Sequence, residues 1–282
     1  MASQKVAIVT GSNKGIGYAI VKGLCEKYEG LVYVTARNVE RGEKAVKSLK
    51  DLGFNPSFHQ LDVNDQDSVD KFRDYIKTTH GGIDVLVNNA AIAFDNDAKE
   101  PVSEQAEKTL STNYFSLVRV CDALFPLLRE NAQVVNVSSS AGHLSRIPST
   151  DLKKKFSDPS LTVEQLDDLM KQFISDTKNG SHGEKGWGNS TYVVSKVGVS
   201  ALTRIQQRMF NAESPQRNVS CNSVHPGYVD TDMTNHKGLL TIEEGAKAPL
   251  FLALGQHQLK GQYIWLNTDV VDWLALDTPA KY

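Results

Sequence analysis

Cysteine is scarce and unpaired. Cys25, Cys121 and Cys221 are widely spaced and odd in number. They form no CxxC pair and no disulfide framework, which points to a reducing compartment. The seven histidines are scattered, with no HxxxH motif and no Cys/His cluster, so no metal is expected. Charge of one sign is missing too. The 31 basic residues against 33 acidic ones give a net charge of −2, which makes nucleic acid and anionic membranes poor partners. No apolar run reaches the ~18 residues of a membrane span. The run Val6 to Val9 before a Thr-Gly turn is too short for a secretory hydrophobic region, so the expected location is cytoplasmic. No linker, low-complexity stretch or repeat divides the chain, and one domain over 1–282 is expected.

What is present is ordinary globular composition. The 282 residues are 40% hydrophobic and 23% charged, and such a length can bury a substantial core. Short β-branched runs alternate with longer helical patterns. Strands are expected at Val6–Val9, Leu31–Thr35, Phe58–Leu61, Asp84–Val87, Gln133–Val137, Val219–Val224 and Gln262–Leu266. Helices are expected near Ile16–Tyr28, Val39–Leu52, Ser68–Thr78, Val102–Leu128, Ser190–Phe210 and Thr241–Leu254. Nearly continuous apolar strands with helices between them imply an α/β, Rossmann-like, doubly wound parallel sheet of about seven strands. The alternation breaks over about 143–188. One helix is legible in that insertion: Thr162 and Gln165 make a capping box, and Val163, Leu166, Leu169, Met170, Phe173 and Ile174 share one face.

Thr10-Gly11-Ser12-Asn13-Lys14-Gly15-Ile16-Gly17 lies between the first strand and first helix. Glycines permit a tight turn and close backbone approach to a pyrophosphate, and a helix N-terminus offers it free N–H groups. This is a dinucleotide-binding turn with GxxxGxG spacing. An NAD site usually ends its second strand in a carboxylate for the ribose 2′-OH. Here Thr35-Ala36-Arg37-Asn38 has none, and Arg37 with Lys14 can meet a 2′-phosphate instead, so the expected cofactor is NADPH/NADP. Asp62, after the third strand, is a candidate acceptor for the adenine amino group or a simple cap.

Tyr192 and Lys196 stand at i and i+4 on one helix face. An ammonium beside a phenol favours the phenolate, lowers its pKa and lets a proton move near neutral pH. Ser138-Ser139-Ser140 and Asn88-Asn89-Ala90 follow the fifth and fourth strands, at the sheet edge where such folds bind ligands. Asn113 lies in the long helix expected at 102–128, where asparagine is a mediocre former, and a helix kink with a bound water is the alternative to a catalytic role. Tyr228, Val229 and Thr231 follow Pro226-Gly227. Thr231 is a candidate for the nicotinamide amide, and Tyr228 for the pocket wall or an exposed loop position.

Together these motifs resemble the short-chain dehydrogenase/reductase family, and most closely its monomeric NADPH-dependent carbonyl reductases. TGxxxGIG, Asn88-Asn89-Ala90, Asn136-Val137-Ser138-Ser139, Tyr192-x-x-x-Lys196 and Pro226-Gly227 fall in family order over positions 10 to 231. The resemblance implies that Tyr192 is the proton donor, Lys196 lowers its pKa and holds the nicotinamide ribose, Ser139 positions the carbonyl, and Asn113 anchors a relay water. It implies that Asn89 lines the cofactor and that Val229 and Thr231 hold its nicotinamide end. The substrates implied are aldehydes, ketones and quinones, and the state implied is a monomer, its insertion helix covering the surface that oligomeric relatives bury. Phe94, Ala141 and Tyr228 are candidate pocket residues beside Ser139. Two positions depart from the pattern. Ala91 stands where the family has glycine, a substitution costing roughly 1 kcal/mol if that backbone needs positive φ. His225 stands where close relatives have cysteine, which removes any thiol-linked glutathione contact there. The alternatives are a reductase dedicated to one terpenoid, steroid or prostanoid, and a non-catalytic NADPH-binding sensor or scaffold.

Overall fold

The computed structural model describes residues 4–95 and 97–279. Eight strands form one sheet in the order β3-β2-β1-β4-β5-β6-β7-β8. They are β1 Val6–Val9, β2 Leu31–Ala36, β3 Ser57–Gln60, β4 Ile83–Asn88, β5 Leu128–Val137, β6 Ser220–Val224, β7 Tyr263–Ile264 and β8 Val270–Val271. All neighbours are parallel except β7 and β8. The chain runs outward from β1 to β3 and returns at β4, so the strand order reverses between β1 and β4. That reversal opens a crevice at the carboxyl ends of the two strands. The register sets those ends level: Val9 lies opposite Val34 and Val87, and Val137 opposite Val224.

Helices α1 (Gly15–Lys27), α2 (Val39–Asp51) and α9 (Ile242–Ala253) cover one face. Their apolar stripes, including Ile20, Leu24, Leu49 and Leu252, pack on Val9, Val34 and Val87. Helices α3 (Gln66–His80), α5 (Ser116–Leu124) and α8 (Thr191–Asn211) cover the other, with Phe72, Ile76, Val120 and Leu124 packed on Ile8 and Leu86. Strands buried from both sides explain the unbroken apolar runs of the sequence.

The helix expected over 102–128 is divided. Helix α4 (Val102–Leu110) passes into a π-helical turn, Ser111–Phe115, and only then into α5. The helix stops at Leu124, where a short 3-10 turn, Phe125–Leu127, carries Pro126, and β5 begins at Leu128, five residues earlier than the apolar run suggested. The eighth strand escapes a periodicity reading because it has only two residues. The insertion holds two helices, not one. Helix α6 (Thr150–Ser157) is capped by Ser149, and α7 (Val163–Lys178) has the Thr162/Gln165 capping box. Leu166, Leu169, Met170 and Phe173 of α7 are buried in one cluster with Leu110, Tyr114, Val194 and Val197, so α7 packs on α4, the π turn and α8. Behind it, Asp176 accepts from Lys185 Nζ at 2.6 Å and from Trp187 Nε1 at 2.8 Å, which ties the end of the insertion back to α7.

Candidate active site

The glycine turn is shaped by its neighbours. Gly11 has φ +59°, and a Cβ there would lie 2.9 Å from Ala90 Cα. A Cβ on Gly17 would lie 2.5 Å from Asn89 Nδ2 and 2.8 Å from Gly11 O. Both positions therefore need glycine for steric reasons. Asn89 braces the turn, donating from Nδ2 to Thr10 O at 3.0 Å and Gly11 O at 3.1 Å. In return Thr10 Oγ1 accepts from the Asn89 and Ala90 amides. Helix α1 starts at Gly15 with no side-chain cap and no acidic residue in its first turn. Its free N–H groups and dipole are left for an anion. Asn13 and Ile16 are half-buried at the same place.

Beyond β2, Arg37 is exposed, and neither it nor Asn38, the two residues at the strand end, is a carboxylate. Lys14 is already engaged: its Nζ lies 2.5 Å from Asp232 Oδ2. Asp62 spends one carboxylate oxygen on the Asn64 amide at 2.9 Å, a local Asx turn. Thr231 sits over the turn, its Cγ2 3.4 Å from where a Gly15 Cβ would be. Val229 is buried and bridges Leu240, while Tyr228 next to it is exposed.

Tyr192 and Lys196 occupy the first turns of α8, which Ser190 caps through the Val193 amide. Lys196 Nζ lies 5.8 Å from the Tyr192 ring centroid. It donates to Val137 O, the last residue of β5, at 2.7 Å. Burial lowers the Lys196 pKa to about 7. Burial also raises the Tyr192 phenol above its ordinary value, with the Ser139 hydroxyl pulling it down. Desolvation thus disfavours both charged forms at once, opposing the effect expected of the neighbouring lysine on the phenol.

Ser139, just past β5, accepts at Oγ from the Ala141 amide at 3.2 Å, and its carbonyl accepts from Tyr263 Oη. Asn113 lies in the π turn, 3% exposed. Its Nδ2 donates to Ile92 O at 2.9 Å and Ser195 Oγ at 3.0 Å, and its Oδ1 accepts from Ile92 N at 2.8 Å. Ser195 Oγ in turn donates to Tyr192 O at 2.8 Å. Asn113 and Lys196 also line a cavity of about 10 Å³ with Thr10 and Asn88. That is room for about one water with polar partners.

The four catalytic candidates, from three separate segments, thus meet at the carboxyl ends of β4 and β5, next to the glycine turn. Phe94 and Tyr228 are not hydrogen-bonded to, or stacked on, these four among the described residues. Phe94 is on an open groove lined by residues 93–95 and 97–100, and Asp95 beside it is tied to the loop carrying Tyr228 by Asn235 Nδ2 to Asp95 Oδ1 at 2.7 Å. The sequence reading missed Ser195, Ile92, Tyr263 and Asp232. Ser195 sits inside the Tyr192–Lys196 motif, but the other three have no local signal. The ring of His225 packs on Trp265 and its Nδ1 accepts from the Gly227 amide, while burial lowers its pKa to about 4. The backbone of Ala91 is not left-handed: among the described residues, those with positive φ other than glycine are Asn131, Asn218, Asn235, His236 and Thr268. The strain considered at Ala91 is therefore absent.

The family described as short chain dehydrogenase matches residues 5–150. Carbonyl reductase [NADPH] 1 of Sus scrofa is 44% identical over 275 residues, 96% of this chain and 95% of that protein. Carbonyl reductase [NADPH] 3 of Rattus norvegicus is 46% identical over 252 residues, 89% of this chain and 91% of that protein. Among solved structures, salutaridine reductase from Papaver somniferum superposes with a TM-score of 0.82 at 31% identity, covering 92% of this chain and 99% of that one.

Proposed function

The chain belongs to the short-chain dehydrogenase family, and from that membership we propose that it is an NADPH-dependent carbonyl reductase that converts aldehydes, ketones and quinones to alcohols and hydroquinones. The chain's own residues fit the cofactor. The uncapped start of α1 and the glycine cradle suit a pyrophosphate, and exposed Arg37 and Lys14, with no acid at the two positions after β2, suit a 2′-phosphate. When bound, the nicotinamide supplies the hydride. Asn89, by bracing the turn, and Val229 and Thr231, by their place over it, are the other residues assigned to cofactor binding, with Asp62 assigned to the adenine.

The observation that carries the reading is the convergence of Tyr192, Lys196, Ser139 and Asn113 beside that turn. Ser139 Oγ holds the carbonyl oxygen, and Tyr192 gives it a proton. Negative charge brought into the site raises the Lys196 pKa again, and the recharged ammonium stabilises the phenolate left behind. A water held in the small cavity beside Asn113 and Lys196 would relay a solvent proton to the Tyr192 phenolate. Ala141, Phe94 and Tyr228 border the substrate. One reductase domain, working as a cytoplasmic monomer, completes the reading; its support is the single continuous sheet and the apolar face of α7 packed over α4 and α8.

A reductase dedicated to one metabolite is the second reading, favoured by the likeness to salutaridine reductase, which is named for a single substrate. Turnover over a carbonyl panel, with NADPH and NADH side by side, tests both. Breadth with NADPH supports the first reading, and one dominant substrate the second. No turnover leaves only a sensor or scaffold. Tyr192→Phe should lose about 10²–10⁴-fold in kcat while keeping NADPH affinity. Near-normal turnover removes Tyr192 from the mechanism.

A further inference from the structure

One of the two cations assigned to the cofactor's 2′-phosphate, Lys14, is not waiting for it. Lys14 Nζ lies 2.5 Å from Asp232 Oδ2, with both side chains 60% exposed. The ammonium beside Asp232 holds its carboxyl below the ordinary carboxylate range, so the pair is ionic. The two residues come from opposite sides of the crevice, Lys14 from the glycine turn and Asp232 from the loop after β6, 218 positions later.

The loop holds that carboxylate in place. Its other oxygen lies 3.2 Å from His236 Nε2, while His236 Nδ1 lies 2.7 Å from Asp230 Oδ1. Asn235 and His236 both have left-handed backbones, at φ 48° and 56°, which residues other than glycine adopt rarely. They are kept there by the bonds of Asn235 to Asp95 and of the His236 amide to Thr231 O at 3.0 Å. Thr231 in turn packs over Gly15. The carboxylate is thus held beside the start of α1, on the ammonium that an incoming 2′-phosphate needs.

We propose that Asp232 competes with the cofactor's 2′-phosphate for Lys14, and so limits the affinity for the phosphorylated dinucleotide without touching the unphosphorylated one. The inference rests on the reading of Lys14 as a 2′-phosphate ligand. A dianionic phosphate wins the exchange, but binding has first to break the ion pair. On leaving, the phosphate is replaced by the carboxylate, which favours release. Exposed ion pairs are weak, so the effect is small: removing the carboxylate tightens binding about two- to fivefold.

The test is calorimetric titration of the full chain with adenosine 2′,5′-bisphosphate and with 5′-AMP, at pH 8. The proteins are wild type, Asp232→Asn, Lys14→Met and the double variant. The expected result has four parts. Wild type prefers the bisphosphate, Asp232→Asn tightens the bisphosphate two- to fivefold, 5′-AMP is unaffected, and the gain disappears in the Lys14→Met background. If wild type prefers the bisphosphate but Asp232→Asn does not tighten it, the competition is overturned while the cofactor reading stands. If the gain persists without Lys14, simple repulsion by Asp232 replaces competition. A parallel change in 5′-AMP binding also overturns the proposal, because it marks a general rearrangement of the loop. A wild type with no preference between the two nucleotides overturns both the inference and the reading beneath it.

Discussion

The Asn113 carboxamide and the Ile92 peptide exchange two hydrogen bonds, Nδ2 to O at 2.9 Å and N to Oδ1 at 2.8 Å. With Nδ2 also donating to Ser195 Oγ, this one side chain joins the π turn, the segment after Asn89-Ala90-Ala91 and the first turns of α8. A π turn is a common device for placing a side chain that an ordinary helix would turn elsewhere. Asn113→Ala leaves the Ile92 N–H and carbonyl without their partners. We expect about 1–3 kcal/mol of lost stability by urea denaturation, with a fall in kcat of at least about tenfold as the acid/base groups lose registration. Wild-type values for both would show that the clamp is idle.

How far the sequence carries the fold and site depends on the range of the signal. The strands and the glycine turn are legible because their causes are local: runs buried on both faces, and glycines where a side chain does not fit. Tyr192 and Lys196 are legible because one helical turn joins them. At Asn113 the sequence offered a helix kink or a catalytic role; the π turn at Ser111–Phe115 is such an irregularity, and only the partners of Asn113, 21 and 82 positions away, show what it is for. Asp232 was passed over for the same reason. Its partner is 218 positions distant, and no spacing rule joins them. Helix α6 was missed although Leu152 and Phe156 share a face, because eight residues are too few to stand out from a loop.

The buried Lys196 makes stability depend on pH. Its folded pKa of about 7 lies below the ordinary 10.5 because burial penalises the ammonium. Below about pH 7 both states carry the proton, and the full cost of burying charge is present. Between the two values the unfolded chain binds more protons, so stability rises with pH. One such group contributes at most ~1.4 kcal/mol per pH unit. The cofactor-free protein should therefore resist urea better at pH 8.5 than at pH 7, and Lys196→Met should flatten that rise. The window stops short of pH 9 because Cys25, raised to about 11 by burial, acts with opposite sign there. An unchanged slope in Lys196→Met would mean that the lysine is not the titrating group.

At Ala91 the backbone needs no glycine. Replacing alanine by glycine then relieves nothing and adds freedom to the unfolded chain. Ala91→Gly should lower stability by about 0.4–1 kcal/mol and leave the KM for NADPH within about twofold. A higher Tm in the glycine variant would restore the idea of strain beside the cofactor.

The insertion bears on oligomeric state through one buried carboxylate. Helix α7 covers α4 and α8 with Leu166, Met170 and Phe173, so the helices that could serve as a subunit interface already have a partner within the chain. The protein should sediment near its 31.0 kDa chain mass at micromolar concentration. Asp176, 2% exposed, keeps the insertion's return segment on α7 by its bonds to Lys185 and Trp187. Asp176→Ala leaves the buried Trp187 N–H unpaired and should cost about 1–3 kcal/mol. Because the loss is local to residues 181–188, limited proteolysis should cut there first, while the glycine turn, which is braced by Asn89 and not by Asp176, keeps its cofactor affinity. If the variant instead unfolds in one step with no early cut, the insertion is as firmly built into the core as the sheet. A dimer or tetramer in the wild type would mean that α7 extends an interface and does not close one.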